Sequence, residues 1–316
     1  MPDFVHLHVH SQYSILDGQA SIPKMVDKAI ADGMKGMALT DHGNMMGVKD
    51  FFNYTEKVIS KGKKALKELT AKLELIEAGT YTPTGEEEGL TLEQIKEKLL
   101  PQIQKQERIA NFKRLIGCEM YVARRGMLLK EGKQDTSGWH LVVIAKNQTG
   151  YKNLIKLVSN SWVDGFYMRP RTEHAQLEKY SEGLMISSAC LGGEIPQFIL
   201  NGDIEEAEKR MLWYKEIFGE DYYIELQRHR TFKQNANTET YEEQVRVNDI
   251  LIPLAHKHNI KLIASNDVHF VNEEDAEAHD RLICISMGKR FGDPTRIHYT
   301  KQEWLKSIAE MKHCCP

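Results

Sequence analysis

The chain has 316 residues, 41% of them hydrophobic, so it is long enough to form one large α/β domain or two smaller ones around a sizeable core. A formal net charge of −3 argues against a generally basic surface that coats nucleic acid, although a local basic groove is compatible with it. No apolar run is long enough to cross a bilayer, the N-terminus does not resemble a secretion signal, and the cysteines number five, so we predict a cytoplasmic protein with reduced thiols and no membrane partner.

Short runs of β-forming residues alternate with helix-like stretches along the chain. Seven runs are predicted as strands, at residues 4–10, 36–41, 114–123, 140–145, 184–189, 222–227 and 261–267. The stretch that follows the first run, with Ser21 as N-cap, Pro23 in the first turn and Gly33 as terminator, is typical of a crossover helix. The alternation predicts a parallel sheet, either open and doubly wound or closed into a barrel.

Residues 57–113 interrupt this alternation. They are rich in Lys, Glu, Leu and Ile, and apolar residues recur at helical spacing in two series, at positions 66, 69, 73 and 76 and at positions 92, 95, 99 and 103. Thr91 and Gln94 are spaced as a capping box at the start of the second series. We predict an inserted, charged helical hairpin, which fits a solvated surface decoration better than the alternative, a partner-docking arm.

The first predicted strand, FVHLHVH, carries three histidines at alternate positions. Side chains alternate between the two faces of a strand, so His6, His8 and His10 are expected on the same face. Three imidazoles packed together without metal or acid would leave buried nitrogens unpaired. His8 and His10, nearest the following loop, are therefore the predicted metal-binding pair, and His6 is predicted to lie deeper as a core or supporting residue.

Further candidate ligands lie within, at the ends of, or at the starts of the other predicted strands. They are Asp17, His42, Glu119, His140, Cys190, Asp267 and His269. Strand ends of a parallel sheet or barrel converge on one face, where active sites are normally built. Each residue alone is a weak signal, because a histidine in a turn or a buried cysteine is common. Together they exceed the four ligands of one zinc ion and predict a multinuclear site for zinc, manganese or iron.

Five motifs together resemble the PHP (polymerase and histidinol phosphatase) family: HLHVHS, TDHGN, the isolated Glu119, SSACLGGEIP and ASNDVHF. HVHSQYSILDG, GFYMRPR and ACLGGEIP make the chain most similar to the branch of the family that forms the N-terminal domain of bacterial DNA polymerase III alpha subunits. The resemblance covers nearly the whole chain outside the hairpin. It implies a distorted seven-stranded β/α barrel, formed here by residues 1–56 and 114–290, with residues 291–316 leading toward further polymerase domains.

The resemblance also implies nine ligands around as many as three divalent ions. The first ion would be held by His8, His10, Glu119 and Asp267, the second by Glu119, His140 and Cys190, and the third by Asp17, His42 and His269. Two to three zinc, manganese or iron ions are therefore expected. The thiolate of Cys190, at a position where many relatives outside the polymerase branch have histidine, favours zinc at the second site.

Clustered divalent ions suit phosphoester hydrolysis by a metal-activated water, and the chain contains no motif for a side-chain nucleophile. The polymerase branch implies a 3′-to-5′ proofreading exonuclease that acts on a DNA 3′ end, without polymerase activity of its own in these residues. Arg169 and Arg171 are candidates for contact with a substrate phosphate, and solvated surface charge is an equally good interpretation of both.

Two other functions stay open at this point. The domain could be a non-catalytic, metal-stabilised scaffold of the polymerase that docks a separate exonuclease subunit. It could also be a free-standing phosphatase of the histidinol-phosphate type, which the polymerase-type motifs disfavour. The expected partners are a DNA 3′ end, the remaining domains of the polymerase subunit and, in the scaffold alternative, the exonuclease subunit.

Overall fold

A computed structural model describes residues 4–293 and 295–314 of the chain. In chain order the elements are α1 (Ile22–Ala31), β1 (Gly36–Leu39), α2 (Val48–Glu77), α3 (Leu92–Ala110), β2 (Lys113–Ala123), β3 (Gly138–Ala145), α4 (Gln148–Val163), β4 (Arg171–Thr172), α5 (His174–Lys179), β5 (Leu184–Ser187), α6 (Glu194–Leu200), α7 (Ile204–Phe218), β6 (Tyr222–Leu226), α8 (Glu239–Lys257), β7 (Lys261–Ala264), α9 (Ala276–Met287) and α10 (Ile308–Cys314). Within the described ranges, no helix combines the length and the apolar character that crossing a membrane would require.

The strands form one curled sheet in the order β1-β2-β3-β5-β6-β7, and β4 pairs with β2. Neighbouring strands are parallel except at β3, which runs antiparallel to both β2 and β5. Buried side chains from β2, β3, β5 and β6 pack against α4, α6, α7 and α8, while β1 packs against α1 and the start of α2. This mixed α/β half-barrel with surrounding helices confirms the predicted fold class, a distorted β/α barrel.

Two details of the predicted sheet are wrong. The sheet is mixed, because residues 124–137 between β2 and β3 contain a single 3₁₀ turn, whereas parallel neighbours usually need a crossover helix. The first predicted strand is an extended segment with one isolated bridge, between Val9 and Val268, and the two-residue β4 was not predicted. The reversed direction of β3 matters for the site, since the start of this strand lies beside the ends of its neighbours and brings His140 there.

Residues 6–10 lie between β1 and the segment that follows β7. On the β1 side, the N–H of Ala38 donates to the carbonyl oxygen of His6 at 2.9 Å. On the other side, the N–H of His10 donates to the carbonyl oxygen of Val268 at 2.7 Å. The histidine segment is therefore held on both sides by backbone hydrogen bonds, although it is not a regular strand.

The segment predicted to lead out of the domain packs on the barrel instead. Leu305 is fully buried in the core beside α1, and its N–H donates to the carbonyl oxygen of Phe270 at 3.0 Å. Trp304 forms a bridge with Phe270, and Nε2 of His6 donates to the carbonyl oxygen of Lys306 at 2.8 Å. Residues 304–306, beyond the predicted boundary at residue 290, therefore pack against the barrel, and the buried His6 connects this segment to the N-terminal part of the described chain.

Helices α2 and α3 pack against each other through a small apolar core of their own. It is built from the two predicted apolar series, with Ile76, Ile95, Leu99 and Ile103 buried and Leu66, Leu69 and Leu73 packed beside them. Helix α2 begins at Val48, before the predicted start of the insertion at residue 57, so the barrel and the hairpin share one continuous helix. The predicted capping box is confirmed: Thr91 Oγ1 accepts from Gln94 N at 3.2 Å, and Gln94 Oε1 accepts from Thr91 N at 2.9 Å.

We expect Thr91→Ala to weaken the start of α3 by about 1 kcal/mol, because the amide of Gln94 loses its hydrogen-bond acceptor. Amide hydrogen exchange across α3, compared with the wild type, measures this change. Thr91→Ser is the matched control, since it keeps the hydroxyl and should keep the protection. Equal exchange rates in the Ala and Ser variants would show that the cap does not contribute.

Candidate metal centre

The predicted ligands converge at one edge of the curled sheet. Strand β2 carries Glu119 near the centre of this edge, and the start of the antiparallel β3 brings His140 beside it. His42 follows β1, Cys190 follows β5 and Asp267 follows β7. A continuous series of contacts joins all nine predicted ligands, namely His8, His10, Asp17, His42, Glu119, His140, Cys190, Asp267 and His269.

Glu119 lies at the centre of the cluster. Its side chain is only 1% exposed, and its two oxygens contact different partners. Oε1 lies 3.2 Å from His8 Nε2 and 2.8 Å from His140 Nδ1. Oε2 lies 3.6 Å from His10 Nε2 and also contacts His42 Nδ1. One carboxylate thus joins four imidazoles, which suits a ligand that bridges two ions.

Asp267 forms the second carboxylate of the cluster. Its Oδ1 lies 3.1 Å from His8 Nε2, 3.2 Å from His10 Nε2 and 3.7 Å from His269 Nδ1. His8 and His10 are therefore shared between the two carboxylates.

Three of the seven non-glycine residues with a positive φ in the described part of the chain lie at or directly before predicted ligands. Asp267 itself has a φ of 47°, and Leu16 and Ala189, which immediately precede Asp17 and Cys190, have φ values of 62° and 59°. A non-glycine residue in the left-handed region costs about 1–3 kcal/mol, and such strain clusters at functional sites. The turns that present these three side chains therefore hold a conformation that the rest of the fold must stabilise.

Three groups of side chains bring ligand atoms close enough together to hold one ion. They are His8 with His10 and Glu119, Glu119 with His140 and Cys190, and His10 with His42 and His269. Within each group the ligand atoms lie within 4.8 Å of one another. Ligand atoms bind zinc at about 2.0–2.3 Å, so two ligands of one ion are at most roughly 4.6 Å apart. The observed spacing is close to that limit. The second group is the set implied by the family resemblance, the first is the implied set without Asp267, and in the third His10 stands where Asp17 was expected.

Asp17 contacts the outer side of the cluster. Its Oδ2 lies 2.9 Å from His42 Nε2, and the hydroxyl of Tyr299 donates to its Oδ1 at 2.8 Å. The remaining ring nitrogen of His42, Nδ1, is thereby directed toward Glu119. Asp17 orients His42 in this arrangement, and its direct contact with an ion stays a prediction.

Seven buried atoms of the cluster have no hydrogen-bond partner among the described residues. They are His8 Nε2, His10 Nε2, His42 Nδ1, Glu119 Oε1, Glu119 Oε2, Asp267 Oδ1 and His269 Nε2. A buried polar atom without a partner costs about 1–3 kcal/mol, so folded proteins rarely leave one. These atoms lie close together without hydrogen-bond geometry, which is how ligands surround an ion. The side chains therefore fit divalent metal.

The family model of the PHP domain matches residues 6–229, more than two thirds of the chain, and this range contains seven of the nine predicted ligands. The chain belongs to the PHP family. Curated relatives are the DNA polymerase III subunit alpha of Borreliella burgdorferi, 38% identical, that of Treponema pallidum, 35% identical, and that of Thermus aquaticus, 32% identical. The alignments cover 98%, 99% and 99% of this chain, but 22%, 22% and 21% of those proteins. The chain spans about a fifth of the length of the curated relatives it matches.

A residue outside the predicted set, Glu225, holds His8, a predicted ligand of the PHP domain, in place. Nδ1 of His8 donates to Glu225 Oε1 at 2.7 Å, which leaves Nε2 directed at the cluster. Ser187 donates to Glu225 Oε2 at 2.6 Å, and Ser265 donates to Oε1. A carboxylate behind a ligating histidine fixes the tautomer and raises the basicity of the ligand. The available signal in the sequence was a glutamate inside the otherwise apolar strand YYIEL.

Glu225→Gln is expected to weaken metal binding by about 10–100-fold, because the amide cannot reproduce the charge behind His8. Competition titrations with a chelator of known affinity measure this change. Glu220→Gln, an exposed substitution just before the same strand, is the control and should bind metal as the wild type does. If Glu225→Gln binds metal as tightly as the wild type, Glu225 does not support His8 as a ligand.

Burial and neighbouring charges determine the protonation of His8 and His10. Burial opposes charge on His8, but Asp267, Glu225 and Glu119 outweigh it and raise the pKa of His8 well above its ordinary value. Burial, with two neighbouring imidazoles, lowers the pKa of His10 to about 3. His10 is therefore neutral and ready to donate a lone pair, whereas a metal ion has to displace a proton from His8.

Cys190 is a thiol unless an ion is bound. Burial raises its pKa well above the ordinary value, and Asp267 and Glu119 add to the effect. Its Sγ lies 3.6 Å from His140 Nδ1, and a Cβ at Gly192 would come within 3.1 Å of the His140 ring. Glycine at 192 therefore leaves the space that His140 occupies. A coordinating metal deprotonates such a thiol, and sulfur favours zinc.

The structure separates the two arginines predicted to contact phosphate. Arg169 is exposed, and its guanidinium lies 5.9 Å from the ring centroid of Tyr121, next to His140 at the rim of the cluster. Arg171 is fully buried, and its Nε and Nη2 donate to the carbonyl oxygens of Gly165 at 3.0 Å and Met127 at 2.9 Å. Nε and Nη2 of Arg171 thus hold two loops together, Nη1 has no hydrogen-bond partner among the described residues, and the burial of the side chain disfavours the predicted contact with a substrate phosphate.

Proposed function

We propose that this PHP domain belongs to a bacterial DNA polymerase III alpha subunit and hydrolyses the phosphodiester bond at a DNA 3′ end, as a proofreading exonuclease. The seven unpaired ligand atoms around Glu119 and Asp267 support metal-dependent chemistry most directly. The names of the curated relatives support the polymerase context and with it DNA as the substrate. A free-standing phosphatase has no comparable support. A cytoplasmic location is part of the proposal.

Two to three bound divalent ions, zinc, manganese or iron, would supply positive charge and Lewis acidity for attack of water on phosphorus. His8, His10 and Asp267 would hold one side of the centre, and His140 with Cys190 the other, with Glu119 shared between them. The side chains of the domain would hold the ions and orient the substrate, and none of them is proposed as a nucleophile. Arg169, at the rim, is proposed to attract the phosphate of the strand.

A second candidate function is a metal-stabilised scaffold that docks a separate exonuclease subunit. This candidate is favoured by the positions of the predicted ligands in the sequence. His8, Glu119, Cys190 and Asp267 come from four segments that are far apart in the chain. Ions bound by all four segments would stabilise the folded state even without turnover. For either function we propose the same division of the chain. Residues 1–56 and 114–290 form the barrel, and residues 57–113 form a hairpin inserted into it. Residues 299–306 pack against this barrel and are added to it.

Metal analysis of protein purified without chelator, together with cleavage of a 3′-labelled single-stranded oligonucleotide, tests these two candidates. We expect two to three ions per chain and release of the 3′ nucleotide with added manganese or zinc. His10→Ala should lose the cleavage, and His256→Ala, at an exposed histidine of α8, should keep it. Metal without cleavage would favour the scaffold, and protein without metal would contradict both candidates.

A further inference from the structure

A cleft of about 240 Å³ opens directly from the metal centre. Cys190 and Asp267 line its inner end, and its walls come from the loop after β6, the start of α8 and the segment around Tyr299. The described residues that line it include no lysine and no arginine. The walls offer neutral polar groups, among them His229 and Asn237, together with the carboxylate of Glu303. The cleft is therefore suited to an uncharged polar group and not to a phosphate.

His229 is the buried polar group of this cleft that has an unused atom. Its side chain is only 4% exposed, and Nε2 has no hydrogen-bond partner among the described residues. Glu303 Oε1 lies 4.0 Å from the other ring nitrogen, beyond hydrogen-bond distance. A buried polar atom without a partner at the wall of a cleft indicates that a ligand supplies the partner.

The contacts of Gln244 identify which nitrogen of His229 carries the proton. Gln244 Oε1 accepts from the backbone N–H of His229 at 2.7 Å, so the amide oxygen is assigned. The amide nitrogen must then face His229 Nδ1, at 3.2 Å, and it can only donate. Nδ1 is consequently the acceptor, and a neutral His229 carries its proton on Nε2.

Burial keeps the ring neutral. It lowers the pKa of His229, and Glu303 and the backbone of Asn266 oppose this only in part. Nε2 is therefore a buried N–H donor on a side chain that lines a cleft without lysine or arginine among its described residues. Such a donor discriminates strongly, because a substrate without the matching oxygen leaves it unpaired.

We propose that the cleft receives the 3′-terminal nucleoside of the strand, and that His229 Nε2 donates a hydrogen bond to its 3′-hydroxyl oxygen while the scissile phosphate lies at the metal ligands. The inference rests on the proposed function and names the part of the substrate that this cleft selects. The cleft, of about 240 Å³, is small compared with the roughly 300–1,000 Å³ of typical ligand sites, and we assign it to a single nucleoside, whose 3′-hydroxyl is present only at the end of a strand. A free 3′ end is thereby distinguished from the interior of a strand.

The tautomer is tested first, by ¹⁵N–¹H correlation spectra of the histidine side chains. We expect one ring with a protonated Nε2 and an unprotonated Nδ1, whose signals disappear in His229→Gln. Signals assigned in this way to an Nδ1–H ring would overturn the inference, because the donor would then face Gln244. This measurement needs no metal and no turnover.

Cleavage of two matched oligonucleotides, ending in a 3′-hydroxyl or in a 3′-deoxy nucleotide, tests the recognition. The metal-loaded wild type should prefer the 3′-hydroxyl end by about tenfold in kcat/KM. His229→Phe and His229→Gln should lower kcat/KM for the hydroxyl end and leave the deoxy end unchanged, at unaltered metal content. His256→Phe, at the exposed histidine of α8, is the control and should keep the wild-type preference.

The outcomes separate this inference from the proposed function. If the wild type cleaves and the variants at position 229 keep its preference for the 3′-hydroxyl end, the inference fails and the exonuclease stands. If the wild type does not cleave, the exonuclease fails, and binding of thymidine monophosphate and its 3′-deoxy analogue by calorimetry decides the inference. Tighter binding of thymidine monophosphate that is lost in His229→Phe would then support it, and equal binding of the two would overturn it.

Discussion

His10→Ala and Asp267→Asn are each expected to lose at least one metal ion per chain and to unfold at a lower temperature than the wild type. His10 is shared by two of the three candidate ligand groups, and Asp267 Oδ1 contacts both His8 and His10. An ion present at a hundred times its dissociation constant stabilises the folded state by about 2.7 kcal/mol. Its loss should lower the unfolding temperature by about 4 °C for a chain of 316 residues. Elemental analysis and differential scanning calorimetry measure the two effects.

The control for these variants is the same calorimetry after chelation. Stripped of metal, the wild type and Asp267→Asn should differ much less than the metal-loaded proteins do, because the lost stability comes from the ion. Unchanged metal stoichiometry in both variants would refute the ligand assignment of His10 and Asp267.

Glu119→Gln is expected to have the largest effect on catalysis, lowering exonuclease turnover by on the order of a thousandfold. Both carboxylate oxygens contact imidazoles of the cluster: Oε1 contacts His8 and His140, and Oε2 contacts His10 and His42. An amide keeps the shape but presents only one acceptor and no charge. Burial opposes the charged form of Glu119, yet the surrounding imidazoles hold its pKa well below the ordinary range, so the native side chain is a carboxylate at every working pH.

Glu194→Gln is the matched control for that substitution. Glu194 is also a buried glutamate, but it accepts hydrogen bonds from His174 and Tyr214 outside the cluster. Its replacement should leave turnover and metal content within about a factor of two of the wild type. Equal turnover in Glu119→Gln and Glu194→Gln would mean that Glu119 does not bind the catalytic ions. Single-turnover rates at saturating metal separate this result from weak metal binding.

Local sequence patterns correctly predicted the features that depend on residues close together in the chain. The capping box of Thr91 and Gln94 and the apolar series of α2 and α3 involve residues three or four positions apart, and both formed as predicted. The same holds for the strand-end positions of His42 and Cys190, which follow directly from where the β-forming runs stop. Residue type then indicated metal chemistry, because so many imidazoles and carboxylates are not buried together without a reason.

Contacts between distant parts of the chain decided the rest. The direction of β3 depends on pairing with both β2 and β5, and this direction carries His140 to the site. The sequence left Arg171 as a candidate phosphate contact or a solvated charge, and the fold buries it, with Nε and Nη2 donating to the carbonyl oxygens of Gly165 and Met127. Glu225 is an ordinary strand residue in the sequence and becomes the support of His8 only in the fold.

The sequence by itself determined the family, the fold class and the set of side chains able to bind metal, because these follow from residue types and from spacings that secondary structure imposes. The tertiary structure alone decided how those side chains are shared, for example that Asp17 orients His42 while Tyr299 holds its other oxygen. The physical reason is range: periodicity acts over a few residues, whereas ligand geometry depends on the packing of segments hundreds of residues apart.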